Sequence, residues 1–300
     1  MTLWQKLTIA ILGGDGRETE MASLAADAGA FVRLFGAPPS GRHDVTRVAS
    51  LGEALDGAKV AILPVPYPGA DGALYAPFAE APIHITAEDL SAMAAKAHVI
   101  TGKSDAFLDA AAEKARVMVH EYEGDTDLML LRAPAIAEGA IRVAIEHSPV
   151  TVHGAQIGLV GFGRIGSALT RSLIALNANV HVFARRDEAR AAAYALGAEP
   201  HLFDAVPQVF PQLEILYNTA PAAVVDAAAL EHLQSGSLVV DLAAPPGGID
   251  LAAARERGLS TIWARGLGAS APRTVARSQW IGVERIARSV LSGQSVNQAT

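Results

Sequence analysis

The 300-residue sequence contains no cysteine, which excludes disulfide bonds, thiolate metal sites and cysteine nucleophiles. Only 5% of residues are aromatic and 18% are charged, against 51% that are hydrophobic, which is typical of a globular chain. The formal net charge is −7 and no dense lysine or arginine tract occurs, so we expect no nucleic-acid binding. No apolar run approaches the roughly 20 residues of a membrane span, and the N-terminal run is too short for a secretory signal. We therefore expect a cytoplasmic protein without membrane contact.

Short apolar runs alternate along the chain with alanine-rich amphipathic stretches, a pattern typical of parallel sheets with helices on both faces. The first series of predicted strands covers residues 7–12, 31–36, 59–65, 98–101 and 117–120. After a helical stretch that Pro149 ends, the second series covers 156–160, 179–184, 214–219, 237–243 and 260–264. The pattern predicts an α/β protein with two doubly wound, Rossmann-like domains and a cleft between them. We expect the first domain over 1–148 and the second over 149–280. The stretch 273–292 is predicted to form one long helix, and the C-terminal helical segment of about 280–300 is expected to pack back on the first domain.

A glycine-rich loop, GFGRIG, lies between a predicted strand and a helical pattern. Gly161 permits a tight turn, Gly163 lets the backbone approach a pyrophosphate, and Gly166 lets the helix pack closely on the strand. The helix N-terminus, which includes Arg164 and Ile165, offers free N–H groups and partial positive charge to phosphates. The loop in this context predicts a dinucleotide site. The alternative is a bare glycine turn.

The end of the next predicted strand bears on which dinucleotide is bound. NAD enzymes usually carry an acidic residue there, but this chain carries Arg185 and Arg186, which suit a 2′-phosphate. Asp187 and Glu188 come later and are expected to begin a helix. The sequence therefore predicts NADP, and the alternative is a solvated arginine pair.

Two further loops at strand ends are predicted to contact the nicotinamide half of the cofactor. Their candidate residues are Asn218, Thr219, Ala220, Pro221 and Ala243. For Asn218, a purely local role in capping the turn is an equal alternative.

The sequence offers few groups for catalysis. It contains no HExxH zinc helix, no GxSxG loop and no P-loop, and its nine histidines are scattered, so we predict no metal site. Glu138, near the predicted link between the domains, is a candidate base or orienting group. His153 is a second catalytic candidate, although a turn before a strand explains it more simply.

Candidate substrate-binding residues follow the first-domain strands or lie near the link. They are Asp15, Arg17, Lys103, Arg132 and Arg273, of which the four cations could bind carboxylates. Alternatively, Asp15 caps a helix while Arg17 is solvated, and Lys103 only precedes a helix cap at Ser104 or Asp105.

Ten short motifs occur along the chain in a fixed order, namely GGDGR, LPV, TGKS, PAIAEG, HG, GFGRIG, ARR, NTAP, DLAAPPGG and GL followed by APRT. In this order the sequence resembles the A subunits of bacterial dipicolinate synthase over nearly its whole length. The resemblance implies two Rossmann-type domains like those of formate/glycerate and alanine dehydrogenases. It implies NADP-dependent oxidation of a dihydrodipicolinate, formed in the lysine (diaminopimelate) pathway, to dipicolinate during sporulation. It also implies a partner, a flavoprotein-like B subunit, and the mother-cell cytoplasm, and a homo-oligomer is expected by analogy with dehydrogenases.

Several positions depart from the family pattern near the predicted substrate site. Leu131 and Arg132 replace a polar pair, Ala135 replaces a threonine, Lys103 replaces an apolar residue, and the loop 268–270 has less proline. These departures leave the substrate open. The alternatives are another NAD(P)-dependent dehydrogenase, for a 2-hydroxy acid or an amino acid, and a non-catalytic regulatory protein that binds NADPH.

Overall fold

The structure, a computed structural model, describes residues 3–65, 69 and 71–292. The chain divides into two compact units, one of residues 1–131 with 271–300 and one of residues 132–270. Within the described residues each unit contains one six-stranded sheet in which all neighbouring strands are parallel. The predicted α/β class with two Rossmann-like sheets is confirmed. No helix in the described part of the chain is long and apolar enough to cross a membrane.

The first unit has the strand order β3-β2-β1-β4-β5-β6. Its strands are β1 (Thr8–Leu12), β2 (Phe31–Phe35), β3 (Val45–Arg47), β4 (Val60–Ile62), β5 (His98–Thr101) and β6 (Met118–Glu121). Its helices are α1 (Gly16–Asp27), α2 (Leu51–Leu55), α3 (Ala87–Ser91), α4 (Ala106–Ala115) and the beginning of α5 (Thr126–His147).

The second unit has the equivalent strand order, β12-β11-β10-β7-β8-β9. Its strands are β7 (Gln156–Val160), β8 (Asn179–Phe183), β9 (Glu199–His201), β10 (Ile215–Asn218), β11 (Leu238–Asp241) and β12 (Ser260–Trp263). Its helices are α6 (Arg164–Ala175), α7 (Asp187–Ala195), α8 (Val206–Val209), α9 (Ala227–Leu230) and α10 (Leu251–Glu256). The last helix, α11 (Pro272–Leu291), belongs to the first unit.

The central strands are apolar along their whole length because helices cover both faces of each sheet. In β1, Ile9 and Ile11 pack in a core with α1 and α11, whereas Ala10 and Leu12 pack in a second core with α2, α3 and α4. All four side chains are fully buried. Burial on both faces explains why these strands read as continuous apolar runs without polar alternation.

The boundary between the units falls within α5, whereas the sequence predicted it after this helix. Leu128 at the start of α5 packs in the core of the first unit, whereas Ala137, Ala140 and Ala144 lie in the core of the second. The hydroxyl of Tyr217 on β10 also donates to the carbonyl oxygen of Ala140 at 3.0 Å. The alanine face of α5 is therefore part of the second core. For this reason the boundary lies before the predicted residue 148, between residues 131 and 132.

The C-terminal helix packs on the first unit and agrees with the helix predicted over 273–292, although its packing begins before the predicted residue 280. In α11, Trp280 lies with its ring centroid 5.1 Å from that of Trp4, and the neighbouring Val283 is fully buried in the same core. Residues 293–300, the end of the predicted helix, lie outside the described residues.

Two edge strands, β3 and β9, were not predicted from the sequence. Each has only three residues, and β9 contains Pro200, which an edge strand tolerates because one side of it needs no ladder partner. Short polar strands of this kind carry no apolar run, so periodicity does not reveal them.

Candidate functional site

The glycine loop of the second unit forms a tight turn between β7 and α6. Gly161 has a φ of +90°, and a Cβ there would lie 2.7 Å from the Oγ1 of Thr219. A Cβ at Gly166 would collide with the carbonyl oxygen of Gly161. The loop therefore needs glycine at both positions, for the turn and for the close approach of α6.

The N-terminus of α6 carries no side-chain cap. Gly163 is its N-cap residue, and it makes no side-chain cap hydrogen bond. A Cβ built on Gly163 meets no atom within 4 Å, so open space adjoins this end of the helix. This arrangement fits a pyrophosphate, which binds free N–H groups at the positive end of a helix.

The equivalent turn of the first unit is closed by its own carboxylates. Asp15, the N-cap of α1, accepts from the backbone N–H of Arg17, and Glu18 Oε2 accepts from the backbone N–H of Asp15 at 2.8 Å. This capping box places negative charge where a phosphate would otherwise lie. The two units share a topology, but of these two helices α1 has a capping box and α6 has no side-chain cap.

Arg185 and Arg186 are exposed at the end of β8, and α7 begins at Asp187 as predicted. Arg190 was not predicted from the sequence. Its Nη1 donates to the carbonyl oxygens of Ala184 at 2.8 Å and Arg185 at 2.7 Å, and its Nη2 pairs with Asp187. Arg190 therefore holds the turn that carries Arg185 and Arg186, and it forms an ion pair with the Asp187 carboxylate that follows them.

Two buried side chains organise the loops after β10 and β11. Asn218 is fully buried, and its Nδ2 donates to Ala220 O at 3.0 Å and to Asp241 Oδ1 at 2.8 Å, while its Oδ1 accepts from the Ala220 N–H. Asp241, which was not predicted from the sequence, also accepts from the N–H groups of Ala243 at 2.9 Å and Gly248 at 2.7 Å. The capping alternative for Asn218 is therefore the observed one, and its side chain acts by positioning the loops.

The other predicted residues of these loops differ in what they offer. The Oγ1 of Thr219 donates to the carbonyl oxygens of Val160 and Gly161, both at 3.2 Å, so its side chain supports the glycine loop. Ala220 is partly buried, Pro221 is exposed and Ala243 is buried. The side chains of Asn218 and Thr219 are thus engaged within the loops, and the cofactor contacts predicted for these residues stay predictions.

Asp15 and Arg17 form a buried ion pair at the carboxyl end of β1. Arg17 donates through Nε to Asp15 Oδ1 at 2.9 Å and through Nη2 to Oδ2 at 2.8 Å. The two residues are only 5–6% exposed, so the alternative of a solvated Arg17 is wrong, whereas the capping role of Asp15 is observed. Tyr75, which was also not predicted, donates its hydroxyl to Asp15 Oδ2 at 3.4 Å. Because Asp15 takes two of its donors, Arg17 is less available to a substrate carboxylate than the sequence suggested.

The same cluster shifts two carboxyl groups in opposite directions. Burial raises the pKa of Asp15, but the hydrogen bonds and charge of Arg17 outweigh it and bring that pKa below its usual value. Burial raises the pKa of Glu18 to about 7, because the charge of Arg17 and the hydrogen bond from Asp15 compensate only in part. Glu18 is therefore the carboxyl group of this cluster that holds a proton near neutral pH.

The remaining first-unit candidates lie on the surface. Lys103 is exposed after β5, and Asp105 caps α4, as the alternative prediction had it. Arg273 is exposed at the start of α11, where its Nε lies 3.3 Å from Glu20 Oε1. Lys103 and Arg273 thus lie on different elements, and the substrate-binding roles predicted for them stay predictions.

The second-unit candidates are dispersed. Arg132 is buried in α5, and Glu138 is exposed on the same helix. His153 is exposed in the turn before β7, at the amino edge of the sheet, whereas the glycine loop lies at the carboxyl edge. Within this unit, His153 is therefore separated from the candidate nucleotide site by the length of β7.

The sequence matches known proteins over most of its length. Residues 8–123 match the N-terminal domain of the dipicolinate synthase A subunit, and residues 134–244 match the NAD-binding domain of D-isomer specific 2-hydroxyacid dehydrogenases. The A subunit of dipicolinate synthase of Bacillus subtilis (strain 168) is 29% identical over 275 residues, 90% of this chain and 92% of that protein. The chain is therefore similar to dipicolinate synthase A subunits over nearly its whole length. The resemblance inferred from the ten motifs is thereby confirmed.

Solved structures agree with this similarity. The crystal structure of the dipicolinate synthase A subunit from Bacillus halodurans superposes with a TM-score of 0.85 at 28% identity, covering 95% of this chain and 98% of that one. The transhydrogenase from Sinorhizobium meliloti shares the fold, with a TM-score of 0.67 at 15% identity and coverage of 94% and 96%. An NAD(P)-binding domain is present over 134–244, and it contains the glycine loop, the arginine pair and the Asn218 turn.

Proposed function

We propose that the protein is an NADP-dependent oxidoreductase, a dipicolinate synthase A subunit that oxidises a dihydrodipicolinate to dipicolinate. The observation that carries this proposal is the uncapped N-terminus of α6, which lies in the NAD(P)-binding domain of a chain related to dipicolinate synthase A subunits in both units. A helix end of this kind, preceded by GFGRIG, suits the pyrophosphate of a dinucleotide.

The charges at the end of β8 favour NADP over NAD. Arg185 and Arg186 are exposed there, and the acidic residues that follow are engaged, since Asp187 pairs with Arg190 and Glu188 Oε2 lies 3.8 Å from Arg186 Nη1. An NAD site would need an acceptor for the ribose 2′-hydroxyl, whereas two guanidinium groups complement a 2′-phosphate.

The proposed reaction removes a hydride and a proton from the dihydropyridine ring. When bound, NADP supplies the hydride acceptor. The side chains of Asn218 and Asp241 position the loops after β10 and β11, at the carboxyl edge where ligands of such sheets bind. Formation of an aromatic ring favours loss of the proton, so the exposed Glu138 suffices as the candidate proton acceptor.

The two substrate carboxylates require cations. Lys103, Arg132 and Arg273 are the proposed ligands, while Arg17 contributes less because it is paired with Asp15. His153 has no part in this proposal. A partner B subunit, a homo-oligomeric state and the mother-cell cytoplasm complete the proposal and rest on the family resemblance.

The reaction is tested with the purified chain, NADP and the freshly generated product of dihydrodipicolinate synthase, with and without the B subunit. NADPH is followed by absorbance and dipicolinate by terbium luminescence. We expect both to appear together. If the nucleotide binds but no dipicolinate forms under any condition, the assigned reaction is wrong and a screen of hydroxy and amino acids follows.

The nucleotide preference is tested with the double variant R185A/R186A. Loss of charge-assisted contacts worth about 3 kcal/mol in total predicts roughly 100-fold weaker NADP binding with NAD binding unchanged. A matched control, R255A/R257A, removes the same charge from α10 and the turn after it. This turn precedes β12 and therefore lies at the amino edge of the sheet, away from the carboxyl edge where the nucleotide is proposed to bind. Equal NADP affinity in both double variants would refute the role of the β8 arginines.

A further inference from the structure

Two histidines and a glutamate converge at the edge of the second sheet, outside the groups assigned to the nucleotide. His181 lies on β8 opposite Glu199 on β9, and His201 follows two residues later on β9. Since side chains two apart on a strand share a face, all three lie on one side of this strand pair. The sequence did not show this cluster, because β9 was not predicted and the histidines are 20 residues apart.

The donor atoms have the separations of a metal site. His181 Nδ1 lies 3.1 Å from His201 Nε2 and 3.4 Å from Glu199 Oε2, and His201 Nε2 lies 3.6 Å from Glu199 Oε1. Four ligands held tetrahedrally at about 2.0–2.2 Å from zinc are about 3.3–3.6 Å from one another. The three groups therefore need almost no movement to bind one ion.

A neighbouring amide fixes the imidazole in the required form. The Oε1 of Gln156 lies 3.0 Å from His181 Nε2. Because an amide oxygen only accepts, this contact places the proton on Nε2 and leaves the Nδ1 lone pair directed at the cluster. Histidine ligands of metals are oriented in this way by a second hydrogen bond.

Burial differs between the three groups in a way that suits metal entry. The side chains of His181 and His201 are 7% and 11% exposed, whereas that of Glu199 is 66% exposed. The ring of His201 also packs 5.2 Å from that of Phe183, which limits its rotation. The nitrogen donors are thus held in place, and the carboxylate faces solvent.

We propose that His181, Glu199 and His201 bind a divalent transition metal of the zinc type, with water as the fourth ligand. Two imidazoles and one carboxylate form a donor set that zinc accepts. Among the described residues, His181, Glu199 and His201 are the group of histidine and carboxylate side chains whose donor atoms lie close enough to share one metal ion. The proposal departs from the expectation from sequence of a protein without metal, and it does not depend on the proposed reaction.

A second histidine pair in the first unit offers a matched control. His98 Nδ1 lies 3.1 Å from His120 Nε2, on the neighbouring strands β5 and β6. In the described part of the chain no third metal-binding side chain completes a cluster around this pair, and the nearby charge of Lys59 opposes a cation. This pair has the same distance between its imidazole nitrogens but lacks a carboxylate, so it should bind zinc far more weakly than His181, Glu199 and His201 do.

The experiment measures zinc binding by the metal-free full-length chain, using calorimetry with ZnCl₂, metal analysis after gel filtration and the visible spectrum with Co²⁺. We expect one Zn²⁺ per chain and a tetrahedral Co²⁺ spectrum. E199Q, an exposed change, should weaken binding by at least about tenfold, and Q156L by about 10–100-fold. H201N should weaken it more than about 100-fold, since a ligand contributes more than a group that orients one. H120N should stay within about twofold of wild type.

Circular dichroism checks that each variant is folded, and E199Q keeps the test decisive if a histidine variant is not. The proposal is overturned if the wild-type chain retains no zinc. It is equally overturned if E199Q binds zinc as tightly as H120N does, because the metal then binds elsewhere or the histidines only share a hydrogen bond.

Discussion

Glu18 is a buried carboxyl group whose ionisation the fold opposes. Its Oε2 accepts from the Asp15 N–H at 2.8 Å, but its Oε1 is buried without a hydrogen-bond partner. The side chain is fully buried, and burial raises its pKa from 4.5 to about 7. The substitution Glu18→Gln keeps the shape and an acceptor for Asp15 while removing the ionisation.

The difference in pKa sets both the size and the direction of the effect. A rise of about 2.5 in pKa corresponds to about 3 kcal/mol of unfolding free energy. The folded state binds the proton more tightly than the unfolded state. Its stabilising effect is therefore complete below pH 4.5 and is lost as the pH rises through about 7. Between pH 5 and pH 8, the unfolding free energy of wild type should fall by up to about 3 kcal/mol relative to that of E18Q.

Urea unfolding at pH 5 and pH 8 measures this difference. Trp4 and Trp280 pack together in the first unit, so tryptophan fluorescence in a Trp263→Phe background reports its unfolding. E53Q is the control, because the exposed Glu53 at the start of α2 also accepts from a backbone N–H, that of Ala49 at 2.9 Å. If E18Q and wild type change in parallel from pH 5 to pH 8, Glu18 is already ionised at low pH and the reasoning is wrong.

Substitutions in the second unit separate nucleotide contacts from loop support. Gly163→Ala adds a Cβ to open space, so it should cost at most about 1 kcal/mol of stability while weakening NADPH binding at least about tenfold by fluorescence titration. Gly166→Ala should instead destabilise the fold by about 1–3 kcal/mol in urea, since its Cβ collides with Gly161, and equal stability of the two variants would contradict this. Asp241→Asn turns an acceptor into a donor among buried donors, so a loss of about 3 kcal/mol is expected, and unchanged urea unfolding would exclude the proposed loop support.

Much of the fold and of the candidate nucleotide site was predictable because the signals are local. Strands β5, β7 and their neighbours are runs of apolar residues, and periodicity places them within a few residues of their observed bounds. The glycine spacing of 161–166 and the arginines at the end of β8 are likewise adjacent in the chain. The start of α7 at Asp187 followed from the same local pattern.

The tertiary structure decided what depends on residues far apart in the chain. The burial of Arg17 requires Tyr75, the anchoring of Asn218 requires Asp241, and the unit boundary depends on the alanine face of α5 packing on the second sheet. The pairing of His181 with Glu199 exists only because β9 lies beside β8 in one register.

The amino-acid sequence by itself determined the succession of strands, turns and helices and the open glycine loop, since each arises from neighbouring residues. Burial, ion pairing and the grouping of His181, Glu199 and His201 were decided by the order and register of the strands. The physical reason is that a buried charge is stabilised or opposed by whichever groups the fold brings within a few ångströms of it, and no local pattern specifies those groups.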